Sequence, residues 1–224
     1  MISLLSGAGG GALVFSYLSG VAPFNYNTGE SVAPVRITEK EETVIQENKA
    51  LKEAAAKVMG VAVGIKITTS QGAVANGSGV IFTSDGMVAV PYSLFPPGAS
   101  AQVAAGDKIA SFEVVKRDKA QNLVILKLGG SHWPTAGFYQ LENLKLGERI
   151  FMVGMLAGGG NFVNEGVVRD FTSEIINTNI QEKAEAAGSP VFDIEGNILG
   201  IAVIDKMGNA SVIPISKIKE LVEL

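Results

Sequence analysis

Cysteine is absent from the 224 residues, and histidine occurs once, as His132. The first absence excludes disulfides, thiolate catalysis and cysteine-based metal sites. The second leaves a single imidazole for any acid–base or metal chemistry, so no transition-metal site or cofactor is expected. Zero cysteines do not identify the compartment. Basic residues are also few: 18 Lys and Arg against 22 Asp and Glu give a net charge of −4, with an isoelectric point near 5.1. That balance carries no electrostatic footprint for nucleic acid. Aromatics make up only 7% of the chain, whereas glycine occurs 27 times and hydrophobic residues reach 47%. This composition suits a turn-rich β protein with ample core.

Charge is missing altogether from Ile2 to Phe24, and the first ionised side chain is Glu30. As a helix this stretch would measure roughly 33 Å, enough to cross a bilayer core. A cleaved signal peptide fits less well, because no Lys or Arg precedes the apolar run and Pro23 directly follows Gly20-Val21-Ala22. Residues 1–24 are therefore expected to be a retained transmembrane helix in contact with lipid. Gly7 and Gly11 lie four apart on it, a small-residue face for packing against a second membrane helix. The glycine run from Gly7 also mimics a dinucleotide fingerprint, but no strand precedes it and no βαβ unit follows.

Residues 25–37 form a polar connector. Thr38 with Glu41 reads as a capping box that opens a helix to about Met59, ended by Gly60. Val44, Asn48, Leu51, Ala55 and Val58 give it one apolar stripe with a polar interruption. The expected use is packing on the following domain, with self-association into a homo-oligomer as the other possibility.

After Gly60 the hydrophobic period changes to two. Strands are expected at Val61–Ile67, Gly79–Phe82, Met87–Val90, Phe112–Lys116, Leu123–Leu128, Arg149–Val153, Asn164–Arg169, Ile175–Thr178, Val191–Ile194, Ile198–Val203 and Ala210–Ile213. Ser84-Asp85-Gly86, Asp193–Asn197 and Asp205–Asn209 supply hairpin turns. Ser216 is expected to cap a short closing helix, Lys217–Glu223. Many short strands without alternating helices imply an all-β barrel architecture.

The order of several motifs resembles the high-temperature-requirement (Deg-type) branch of the trypsin-like serine proteases. Gly77-Ser78-Gly79-Val80-Ile81-Phe82 with Ser84-Asp85-Gly86 is similar to the family's opening G-S-G-[VF]-[IV] and hairpin. Val90-Pro91-Tyr92-Ser93-Leu94 then stands where the family has T-N-x-H-V. Asp118 to Lys127 resembles D-x-x-x-D-L-A-[LV]-L-K, Gly154 to Val167 the G-N-P-x-G…G-x-V segment, and Ile175 to Asn179 L-I-Q-T-D. Glu185-Ala186-Ala187-Gly188-Ser189-Pro190-Val191 occupies the place of G-N-S-G-G-P-L. The likeness covers roughly residues 43–224. It implies a trypsin-like double β-barrel, with residues 60–130 as the first barrel and 131–224 as the second barrel and C-terminal helix. It also implies that the β domain lies outside a bacterial cytoplasm, in the periplasm or on the outer face. A following peptide-binding PDZ domain is not expected after Leu224.

By the same resemblance, Ser93, Asn122 and Ala187 stand at the positions of the family's histidine, aspartate and serine. A hydroxyl becomes an acylating nucleophile only when a neighbouring base takes its proton and a third group orients that base. None of the three side chains can fill its role. Glu185 replaces the glycine at the oxyanion position, where a permissive backbone must donate its N–H. The chain is thus expected to be a catalytically inactive scaffold or adaptor subunit, holding protein partners in a membrane complex. Two alternatives remain: a peptide-binding sensor that uses the former substrate cleft, and a serine hydrolase with a displaced site built on Ser189 and Lys183.

Overall fold

The computed structural model describes residues 39–155 and 160–223. The expected membrane helix with Gly7 and Gly11, the connector 25–37, the Thr38 cap and residues 156–159 of the Gly154 to Val167 segment lie outside the described residues. Helix α1, Glu39–Val58, ends in a 3-10 turn at Met59–Val61. Thirteen strands follow among the described residues: β1 Ala62–Thr68, β2 Val74–Ile81, β3 Met87–Pro91, β4 Ser100–Ala105, β5 Lys108–Ala110, β6 Phe112–Asp118, β7 Leu123–Leu128, β8 Arg149–Met155, β9 Asn161–Phe171, β10 Ile176–Gln181, β11 Pro190–Asp193, β12 Ile198–Ile204 and β13 Asn209–Pro214. Helix α2, Ile215–Val222, closes the order. No helix among the described residues is long and apolar enough to cross a membrane.

Strands β1–β7 form one antiparallel sheet in the order β5-β4-β1-β2-β3-β7-β6, and β8–β13 close into a six-stranded barrel. Of the two units of the expected double β-barrel, the second is thus a closed barrel and the first an open half-barrel sheet. The outer strands explain the difference. β5 has only three residues. β6 carries Glu113 and Lys116 and is distorted by a bulge between Val114 and Lys116. Short, charged and bulged strands do not continue a hydrogen-bond ladder.

Three apolar clusters hold the assembly. One fills the barrel interior, with Ile150, Met152, Val191, Leu199 and Val212. Another lines the concave side of the sheet, with Val63, Ile65, Val88, Val124 and Leu126. The third is shared by both units and both helices: Val80, Leu123 and Ile125 from the sheet, Phe151, Val153 and Phe192 from the barrel, Ala55 and Val58 from α1, Ile218 from α2. Successive residues of β7 thus enter different cores, which is why it reads as an unbroken apolar run.

Helix α1 packs on the β domain through Leu51, Ala55 and Val58 as its stripe implied, and Lys57 Nζ donates to the Glu195 carbonyl at 3.2 Å. Two expectations fail. The β4–β5 hairpin was not anticipated, because Ser100–Ala110 is rich in Ala rather than in β-branched residues. Its pairing with β1, from Gly64↔Ala104 to Thr68↔Ser100, supplies the order that propensity does not. Ser216 does not cap α2. The helix begins two residues earlier, at Ile215, with Pro214 in the cap position and no side-chain cap, because burial of Ile215, Ile218 and Leu221 sets its start.

The anticipated hairpin turns all form. Asp193 Oδ1 accepts from the N–H groups of Glu195 and Asn197, and Asp205 Oδ1 does the same for Met207 and Asn209. Gly196 and Gly208 stand at φ +87° and +89°. These are two copies of one Asp-x-x-Gly-Asn device, in which the carboxylate folds the turn and glycine supplies the left-handed residue.

Candidate functional site

The site sits where two turns of the sheet meet one turn of the barrel. β3 and β7 pair with Pro91 opposite Leu123, so the chain leaving β3 runs beside the residue entering β7. Asn122 stands at φ +56°, a left-handed conformation that Asn tolerates better than most residues. Its carbonyl accepts the Tyr92 N–H at 2.9 Å, and its side-chain Oδ1 accepts the Ser93 N–H at 2.8 Å. The acceptor role identifies that atom as oxygen without an arbitrary amide assignment. Asn122 therefore braces backbone. Ser93 is exposed, and its hydroxyl enters no hydrogen bond among the described residues.

Ala187 follows a 3-10 turn at Ala184–Ala186 in the barrel. Its N–H donates to the Ala184 carbonyl at 3.1 Å, and its carbonyl accepts from the Ser78 N–H at 2.8 Å. Gly188 stands at φ +85°, and a Cβ there would lie 1.9 Å from the Ser78 carbonyl oxygen. Only glycine permits this approach between barrel and sheet. The fully buried Ser78 extends the connection: its Oγ donates to the Met155 carbonyl at 3.3 Å and accepts the Met155 N–H at 3.2 Å.

A Cβ on Gly77 would meet Leu94 Cδ2 at 2.3 Å and the Ala187 carbonyl oxygen at 2.9 Å. The residue after Ser93 and the peptide of Ala187 thus crowd one point. The fold brings Ser93, Asn122 and Ala187 into one neighbourhood. That neighbourhood contains a hydroxyl, a carboxamide and a methyl group, and none of these can take or give a proton near neutral pH.

Glu185 is exposed within the 3-10 turn, and it is not among the non-glycine residues with positive φ. With the Ala187 N–H committed to Ala184, this turn does not present that amide to a developing oxyanion. Ser189 and Lys183 do not form a dyad. Ser189 is fully buried with an unpartnered Oγ, a Cβ on Gly154 would come within 2.7 Å of that oxygen, and Lys183 is exposed. His132 also stands apart, exposed in the connector at φ +65° with Nδ1 2.9 Å from Ser131 Oγ. Among the described residues no three carboxylates or imidazoles converge as metal ligands.

Sequence reasoning did not single out Ser78 or Leu94. Glycines on both sides of Ser78 were the available signal, since they mark a strand that another backbone approaches closely.

Residues 77–201 match the family described as the trypsin-like peptidase domain. Among characterised proteins, the chain is 31% identical over 163 residues to the anti-sigma-I factor RsgI9 of Acetivibrio thermocellus, covering 67% of this chain and 22% of that protein. It is 27% identical over 134 residues to a probable periplasmic serine endoprotease, DegP-like, of Pseudomonas putida, covering 56% of this chain and 28% of that one. The chain therefore spans between a fifth and a third of these relatives. The crystal structure of Deg5 superposes with a TM-score of 0.70 at 20% identity, over 80% of this chain and 94% of that chain, which is a likeness of fold. With its sheet, barrel and family sequence pattern in agreement, the chain belongs to the trypsin-like peptidase domain family.

Proposed function

We propose that this trypsin-like domain is catalytically inactive, with Ser93, Asn122 and Ala187 as its degenerate triad positions and Glu185 as an altered oxyanion position. In this reading it serves as a scaffold or adaptor subunit of a membrane protein assembly. The carrying observation is the convergence of Ser93, Asn122 and Ala187 at one seam with neither base nor nucleophile among them. The Ala187 N–H engaged within its own turn supports the same reading. One relative is named an anti-sigma-I factor rather than a protease, which favours a non-proteolytic use of the domain. Residues 1–24 provide the anchor, with Gly7 and Gly11 packing against another membrane helix. The β domain lies outside the cytoplasm, a placement supported by relatives named periplasmic.

The full chain is expected to hydrolyse unfolded casein no faster than buffer and to remain unlabelled by a fluorophosphonate probe. Restoring the three side chains together (Ser93→His, Asn122→Asp, Ala187→Ser) is expected to yield little activity, because the 3-10 turn keeps the residue 187 amide engaged. Labelling of the unmodified chain would overturn the reading.

A further inference from the structure

A concavity opens beside Asn122, lined by the β6–β7 turn, the β9–β10 turn, β12, β13 and α2. It has a volume of about 400 Å³, within the range of roughly 300–1,000 Å³ typical of ligand pockets. Ile175, Val203 and Ile213 give it apolar walls. Ile175 is 37% exposed, so the pocket presents apolar surface to solvent.

Its polar groups are specific. Asn122 Oδ1 is committed to Ser93, which leaves the carboxamide NH2 as the group it can offer to a carbonyl. Glu174, Asp205 and Lys217 are the ionised side chains of the lining. Lys217 is held by Glu174 at 2.5 Å and, from outside the lining, by Glu220 at 3.8 Å, so within the lining two carboxylates stand against one ammonium that is already paired.

We infer that this cavity is a docking site for a partner polypeptide, which seats one apolar side chain between Ile175, Val203 and Ile213 and sets flanking basic side chains against Glu174 and Asp205. The inference rests on the adaptor reading and gives the partner a chemistry. A backbone carbonyl of the segment meets the Asn122 NH2. Through Asn122 Oδ1 the occupant is coupled to Ser93, which does not line the cavity.

The test titrates three capped pentapeptides into the isotope-labelled full chain and follows amide resonances: Ser-Lys-Phe-Lys-Ser, Ser-Glu-Phe-Glu-Ser and Ser-Lys-Ala-Lys-Ser. The first peptide is expected to shift the amides of Asn122, Ile175 and Val203, and also that of Ser93. The alanine peptide should bind about tenfold more weakly for want of the apolar anchor. The glutamate peptide should be about threefold weaker at low salt and recover as salt is added. Ile175→Ser and Ala120→Phe, both at exposed positions, should each weaken the first peptide about tenfold with the remaining spectrum unchanged.

Absence of binding, equal binding of the three peptides, or shifts confined to another face would each overturn the inference. Recovery of partners by the unmodified full chain is scored separately. If Ile175→Ser and Ala120→Phe recover partners as the unmodified chain does, the cavity inference fails and the adaptor reading stands. If the unmodified chain recovers none, the adaptor reading fails.

Discussion

The closed barrel and the open sheet are built from the same kind of strand, but they manage their edges differently. Every strand of the barrel has two hydrogen-bonded neighbours, so its backbone groups are satisfied within the unit. The sheet ends at β5 and β6, where Ile109, Val114 and Val115 are exposed. Closure removes edges, whereas an open sheet must blunt them with charge, shortness or a bulge. The sheet compensates by burying both faces of its central strands, one on its own concave core and the other on the core shared with the barrel. The seam between the two is consequently tightly constrained. Glycine, Ser78 and backbone hydrogen bonds lock it at the place where Ser93, Asn122 and Ala187 meet.

The sharpest probe of that contrast uses one substitution in two left-handed glycines. Gly188→Ala at the seam introduces backbone strain and a Cβ 1.9 Å from the Ser78 carbonyl oxygen. It is expected to cost about 3–5 kcal/mol. Gly106→Ala, in the β4–β5 turn of the sheet at φ +58°, meets nothing within 4 Å. It should cost only about 1–2 kcal/mol, from strain alone. Urea unfolding of both variants measures the difference, and equal losses would mean that the seam is no tighter than an exposed turn.

A smaller effect is expected from Ser78→Ala. The hydroxyl satisfies both the N–H and the carbonyl of Met155 across the seam, and its removal leaves two buried polar groups short of a partner. The expected loss is about 1–3 kcal/mol, with faster hydrogen exchange at Met155 and Ser78 than elsewhere in β8 and β2. Uniform acceleration over the whole domain would show that the hydroxyl contributes only to global stability.

The smallest effect compares two hairpin carboxylates. Asp85, in the sheet, is held below the usual carboxylate range first by Lys127 and then by Thr83. Asp205, in the barrel, is lowered first by the Asn209 side chain and then by backbone N–H groups. A carboxylate depressed in the folded state contributes stability above its unfolded pKa of about 3.9, and that stability is lost as pH falls through the folded value. For the exposed Asp85–Lys127 pair the contribution is about 1 kcal/mol or less. Raising the salt concentration should move the Asp85 titration back toward the ordinary range and leave Asp205 low. Carboxyl titration by NMR separates the two, and a salt shift of equal size at both positions would remove the distinction.

Several elements were legible in the residues because they depend on near neighbours. β7 was anticipated at Leu123–Leu128 and β3 at Met87–Val90, since strands buried on both faces leave an unbroken apolar run. The Asp-x-x-Gly-Asn turns were readable for the same reason: carboxylate, glycine and closing N–H all lie within five residues. The β4–β5 hairpin was not readable, because its Ala-rich strands owe their order to pairing with β1.

The amino-acid sequence alone determined which chemical groups are available: no thiol, one imidazole, and a hydroxyl, a carboxamide and a methyl at Ser93, Asn122 and Ala187. It also determined where the chain turns, through local steric and hydrogen-bond preferences. Only the tertiary structure decided that the second half closes while the first stays open. It likewise decided that Asn122 spends its oxygen on the Ser93 backbone, and that the Ala187 N–H is engaged in a turn pinned to the sheet by its carbonyl bond to Ser78. The Asn122–Ser93 and Ala187–Ser78 bonds join residues 29 and more than 100 positions apart. Their geometry follows from strand register and shared burial, which no local pattern encodes.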